Sequence, residues 1–115
     1  MNELIQELHD IEMIKQLKHR YFRAIDMADH GLLDSVFTDD IKVDYRGGTY
    51  VWEASGKKEI IQSLKYSFHS ETAAMHTGHH PEISIHDDVN ASGIWYLQDI
   101  FYNFNSRSYN SYNFS

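Results

Sequence analysis
Cysteine is absent from this chain of 115 residues. That excludes disulfides, a thiol nucleophile and a thiolate metal site. A reducing cytoplasm suits such a composition, and the chain is expected there. Basic charge is scarce: 10 Lys and Arg stand against 17 Asp and Glu, a formal net charge of −7. That argues against a nucleic-acid footprint, which needs a basic stripe. An anionic membrane surface is disfavoured for the same reason. No apolar run is long enough to span a bilayer. The first residues are acidic early, with Glu3 and Glu7, so they do not read as a signal peptide. Without one, the Asn-x-Ser triplets at Asn90 and Asn113 read as chance rather than glycosylation sites.

What is present suits one domain with one core, spanning 1–115. Glu3 to His30 predicts one long amphipathic helix. Leu4, Leu8, Ile11, Ile14, Tyr21, Phe22, Ile25 and Ala28 recur at helical spacing, and Gly31 is the expected stop. Tyr21 and Asp26 are five apart, roughly 140° around the axis, on opposite shoulders of the apolar stripe. Leu32 to Phe37 reads as one or two helical turns. Ile41 to Tyr45 alternates as a strand, Gly47-Gly48 is a turn, and Thr49 to Trp52 should pair back as a hairpin. The Gly-Gly pair lies between strands with no Lys-Ser after it, so it is not a phosphate loop. Ser55 is the expected cap of a further helix from about Lys57 to Phe68.

The stretch Met75 to Asp99 organises the rest. Ala74 to His80 predicts a strand with His76, Gly78 and His80 on one face. The single proline, Pro81, should end it or sit at an edge. Glu82 to His86 reads as the next strand, Asp87-Asp88 as a turn, and Ala91 to Phe101 as a long strand. Gly93, Trp95, Leu97 and Asp99 share one face of that last strand. An aspartate in line with Trp and Leu is either paired in a pocket or at an exposed strand end. From about residue 100 to 115 the chain is Asn, Ser, Tyr and Phe with one charge, Arg107, and reads as an atypical tail.

Two chemistries fit these residues. His76 and Asp99 can meet across neighbouring strands, and a carboxylate beside imidazole fixes the tautomer and raises basicity. Tyr21 would then donate to a substrate oxygen. Base, orienter and donor suit proton abstraction beside a carbonyl. The rival is a metal site of His76, His80 and Asp99, since His79 points the other way along the strand. Tyr21 also fits a core-edge tyrosine with its hydroxyl in water, and Asp26 a solvated surface charge.

Four segments together resemble the SnoaL-like group of the ketosteroid-isomerase-like, or nuclear-transport-factor-like, superfamily, over roughly Ile5 to Asp99. They are the first helix from Ile14 to Asp26, Phe37-Thr38-Asp39-Asp40 leading into Val43-Asp44, His76 followed by Gly78 and Pro81, and Ala91 to Asp99 with its Gly93, Trp95, Tyr96 and Leu97. The resemblance implies an α+β fold, a cone-shaped curved mixed sheet packed against a long N-terminal helix and shorter helices. The C-terminal strands look truncated against that pattern. Within the group the chain looks most like the bile acid 7α-dehydratase and scytalone dehydratase branch. By resemblance His76 is the base, Asp99 its orienter, Tyr21 the donor and Asp26 a supporting group. Tyr45, Trp52, His80 and Trp95 are candidate substrate-binding residues. The implied activity is a cofactor-independent lyase (dehydratase) or isomerase acting on a small apolar ring compound. A non-catalytic small-molecule-binding or assembly domain of the same fold is the alternative. No metal and no cofactor are expected. A homodimer or higher homo-oligomer is expected, paired through the outer sheet face of Ile94, Tyr96 and Ile100.

Overall fold
The computed structural model describes residues 2–104. Helix α1 spans Asn2–Asp26. It stops four residues before the expected end, and Gly31 is not its stop. Ala28 takes a left-handed conformation, φ 52°. Its N–H donates to the Ile25 carbonyl at 3.0 Å, and the Asp29 N–H to the Ala24 carbonyl at 2.8 Å. This pair of bonds closes a helix C-terminus, usually around glycine. Alanine in that slot leaves no sequence signal. Asp29 then caps helix α2, His30–Val36, by accepting from the Leu32 N–H at 3.1 Å. Gly31 lies inside α2.

Strand β1, Lys42–Gly47, pairs antiparallel with β2, Tyr50–Ser55. Gly47 faces Tyr50, so the loop is Gly48-Thr49. Gly48 has φ +58°, which the first position of a tight hairpin turn of right-twisted strands requires. Helix α3 spans Lys57–Ser67. Its N-cap is Gly56, without a side-chain cap bond; Ser55, the expected cap, is spent as the last residue of β2.

Strand β3 runs unbroken from Thr72 to Ile85 and pairs antiparallel with β4, Ala91–Asn103. The two strands expected on either side of Pro81 are one. The register shifts between His79 and Glu82, and His80 has φ 51°. Pro81 has no N–H to give the ladder, so a bulge absorbs it without ending the strand. Strand β4 also runs past the expected end: Tyr102 pairs with Ala73 and Asn103 with Thr72. The rest of the expected tail, 105–115, lies outside the described residues.

The architecture is α+β, as the sequence implies. Among the described residues the strands form two separate two-stranded antiparallel sheets and do not close into one. The core joins Ala24 and Ile25 of α1, Leu33 of α2, and Ile60 and Leu64 of α3. Val43, Trp52 and Ala54 of the first hairpin pack against it. The second hairpin is held by α1 instead. Phe22 is buried against Gly78, where a Cβ would lie 2.7 Å from the Phe22 ring. The N-terminal part of α1 leaves Leu4, Ile5 and Leu8 exposed. The radius of gyration is accordingly 15.8 Å, against about 13 Å for a compact chain of this length.

Candidate active site
The register of the second hairpin places His76 directly opposite Asp99. Asp26 is the last residue of α1, where the negative end of the helix dipole is an unfavourable neighbour for a carboxylate. It faces β3. Its oxygens accept from the His76 backbone N–H at 3.1 and 3.2 Å, and Oδ1 lies 2.6 Å from His76 Nδ1. The other ring nitrogen, Nε2, lies 3.2 Å from Asp99 Oδ1. That approach is poorly aligned, so the buried Oδ1 makes no proper hydrogen bond. The imidazole therefore sits in a row, carboxylate on each side. Its side chain is 8% exposed, against 24% for Asp26 and 22% for Asp99.

Burial by itself would lower the pKa of this imidazole. Asp99 and Asp26 outweigh it and hold the pKa above the ordinary histidine value, since each carboxylate favours the charged ring. Phe22 stacks on the ring at 6.1 Å with planes 9° apart, and Phe68 meets it at 5.8 Å. The ring is thus fixed by two aromatic faces as well as two carboxylates. The resemblance assigns the orienting contact to Asp99. In the structure the tighter contact, and the one that also grips the backbone, is Asp26's.

Tyr21 is one turn back along α1. Its hydroxyl is 2.7 Å from that of Tyr45 on β1. Burial, the Tyr45 hydroxyl and the Asp99 charge hold the Tyr21 pKa well above its ordinary value. Burial raises the Tyr45 pKa too, and Asp99 contributes. Both phenols keep their protons, and Asp99 lies near enough to act on both. One hydroxyl donates to the other, which leaves the second O–H free to donate elsewhere.

Two hollows flank this row. A cleft of about 610 Å³ lies between α1 and β3, lined by His19, Phe22, Arg23, Asp26, His76 and His79 among others. A cavity of about 310 Å³ lies between α1, the first hairpin and β4. Its walls include Leu17, Val36, Phe37, Ile60, Leu64 and Trp95, and Lys18, Tyr21 and Tyr45 supply its polar groups. His76 and Asp26 line the larger hollow, whereas Tyr21 and Tyr45 line the smaller, whose walls include neither His76 nor Asp99. The walls of the smaller are largely apolar with a few polar groups, as small-molecule sites are.

Of the expected binding residues, Tyr45 and Trp95 line this cavity. Trp52 backs it indirectly, with its ring 4.9 Å from and edge-on to Tyr45. His80 is not brought to the site. The bulge turns it to the surface, where its ring meets Tyr96 at 6.2 Å. The alternative ligand set of His76, His80 and Asp99 is consequently not assembled. Among the described residues no cluster of three or more His, Asp or Glu side chains is arranged to hold a metal. No helix among them is long and apolar enough to cross a membrane. Sequence reasoning passed over Lys18 and Phe22 as parts of the site. Their spacing from Tyr21 and Asp26 along one helix was the available signal.

Residues 6–111 match the SnoaL-like domain family, and the chain belongs to it. The family includes polyketide cyclases, isomerases and dehydratases, and its domains bind small ligands. Solved structures agree in fold. A structure from Catenulispora Acidiphila superposes with a TM-score of 0.68 at 16% identity, over 91% of this chain and 75% of that one. ActVI-ORFA from Streptomyces Coelicolor gives a TM-score of 0.60 at 16% identity, over 86% and 74%.

Proposed function
We propose that this chain is a cofactor-independent lyase of the dehydratase type, or an isomerase, acting on a small apolar ring compound that bears a carbonyl or hydroxyl. The observation that carries the reading is the row Asp26–His76–Asp99, whose Asp99 charge acts on the Tyr21 and Tyr45 hydroxyls in the wall of a largely apolar cavity; that cavity is taken as the ligand site. Asp26 takes the Nδ1 proton in a hydrogen bond, which leaves Nε2 as the working nitrogen. Nε2, with Asp99 against it, accepts a proton from carbon beside the substrate carbonyl. The imidazolium so formed lies between two carboxylates, the charge state this site favours. Tyr21 donates to the oxygen on which negative charge develops. In a dehydration the imidazolium gives its proton to the departing hydroxyl and releases water. In an isomerisation it returns the proton to a neighbouring carbon.

A second reading has one observation in its favour. Asp99 and Asp26 raise the His76 pKa and so favour the imidazolium, a state suited to a structural ion row in a non-catalytic binding or assembly domain. Turnover separates the two. The protein is incubated with hydroxylated and carbonyl-bearing bicyclic compounds, and loss of water or isomer formation is followed by mass spectrometry. His76→Ala is expected to lower the rate about 10² to 10⁴-fold, and Asp99→Asn comparably. The double variant should be little worse, since the pair acts as a unit. Turnover untouched by His76→Ala overturns the mechanism; binding without turnover favours the second reading.

The same proposal includes a homodimer and a cytoplasmic location. Ile94 and Tyr96 are 66% and 64% exposed on the outer face of β4, opposite the Asp99 face. Ile94→Lys with Tyr96→Lys should turn a dimer into a monomer by light scattering; a monomeric parent chain removes this part of the proposal.

A further inference from the structure
The ammonium of Lys18 is held by aromatic faces alone. Nζ lies 5.1 Å from the Tyr21 ring centroid, 5.1 Å from Phe22 and 5.3 Å from Trp95. Among the described residues no carboxylate comes within 4.0 Å of it. Ring faces attract a cation but replace its lost hydration only in part. Burial lowers its pKa accordingly. Lys18 lines the 310 Å³ cavity with Tyr21 and Tyr45. The polar wall there offers an ammonium and one free phenolic O–H, both donors. It calls for an oxygen acceptor, and for a negative one at Lys18.

We infer that the cavity takes ring compounds that carry a carboxylate, and that Lys18 binds that carboxylate. This rests on the cavity being the ligand site, as proposed above. Strand β4 sets the scale. Trp95, beside Lys18, and Asp99, beside His76, are four residues apart on one face, about 13 Å along the strand. An acid group held by Lys18 sits at the Trp95 wall, away from Asp99, which is not among the residues lining the cavity. A fused two-ring acid suits that spacing, and the pairing makes Lys18 a determinant of specificity, not a proton carrier.

Calorimetry with 2-naphthoate, its neutral carboxamide and 2-naphthylmethylammonium tests this on the intact chain. The carboxylate should bind at least about 10-fold tighter than the carboxamide, the scale of a charge-assisted bond. The cation should bind weakest. Lys18→Met should remove the preference for the acid and leave carboxamide affinity nearly unchanged. Equal binding of acid and amide overturns the inference while leaving the cavity as the ligand site. So does a preference that survives Lys18→Met. Binding of neither compound overturns both readings. Should Lys18→Met lose its circular-dichroism signature, the order of the three ligands on the parent chain decides: cation above amide overturns the inference, acid above amide above cation supports it.

Discussion

The two hairpins are built alike and held differently. The first, β1–β2, is fixed by apolar packing on the core shared by α1, α2 and α3. Its contributions to the site are walls and one hydroxyl, Tyr45. The second, β3–β4, supplies no residue to that core or to the layer packed against it; its Phe101 meets Phe68 edge-on at 5.6 Å. It is fixed to α1 by the Phe22–Gly78 contact and by the carboxylate of Asp26 on His76. Its contributions to the site are the titratable groups. Packing is indifferent to pH, whereas the second attachment runs through a group that titrates. The part of the molecule that handles protons is thus also the part whose anchorage depends on them in part. The Tyr21–Tyr45 bond ties the first hairpin to the helix that carries Asp26.

The contrast can be broken at four points. Leu33→Ala, in the core behind the first hairpin, should cost about 2–5 kcal/mol. Chemical denaturation would measure it, and the His76 ring signals in NMR should stay in place; a shift there would show that the two attachments are not separate. Asp26→Asn should cost about 1.5–3 kcal/mol, the range for a hydrogen bond to a charged group. It should also lower the His76 pKa, read by NMR titration. An unchanged pKa would leave Asp99 as the dominant partner.

The same variant sharpens the pH prediction. The folded pKa of His76 is raised above the unfolded value of 6.5. Its stabilising contribution is therefore full below pH 6.5 and is lost as pH rises through the folded pKa. The denaturation midpoint of the parent chain should fall across that window. In Asp26→Asn the fall should be smaller, and an equal fall would place its origin elsewhere. Gly78→Ala sets a methyl against Phe22 and should cost about 1–3 kcal/mol, as overpacking does. It should shift the His76 ring signals that Leu33→Ala leaves alone. Tyr45→Phe should be mildest, about 0.5–1.5 kcal/mol for one neutral hydrogen bond. It should lower the raised Tyr21 pKa, which ultraviolet titration reads.

Much of this was legible in the chain. The apolar period of α1, the alternation of β1 and β4, and the order of His76, Gly78, Trp95 and Asp99 determine the α+β class and its family. The opposition of His76 and Asp99 follows from two strands and a turn, which are local features. Other features depend on groups distant in sequence or on backbone choices without a residue signature. Ala28 does the work of a glycine, so the end of α1 and the start of α2 were hidden. A bulge, not a break, accommodates Pro81, and it removes His80 from the face that strict alternation assigns it. Asp26 reaches β3 across 50 residues, and the packing of α1 on β3, with Phe22 against Gly78 and the His76 ring, sets that approach. Which carboxylate orients the imidazole, and which lysine enters the cavity, were decided there. Side-chain chemistry sets what each residue can do, but close packing of α1 on β3 selects which of them meet.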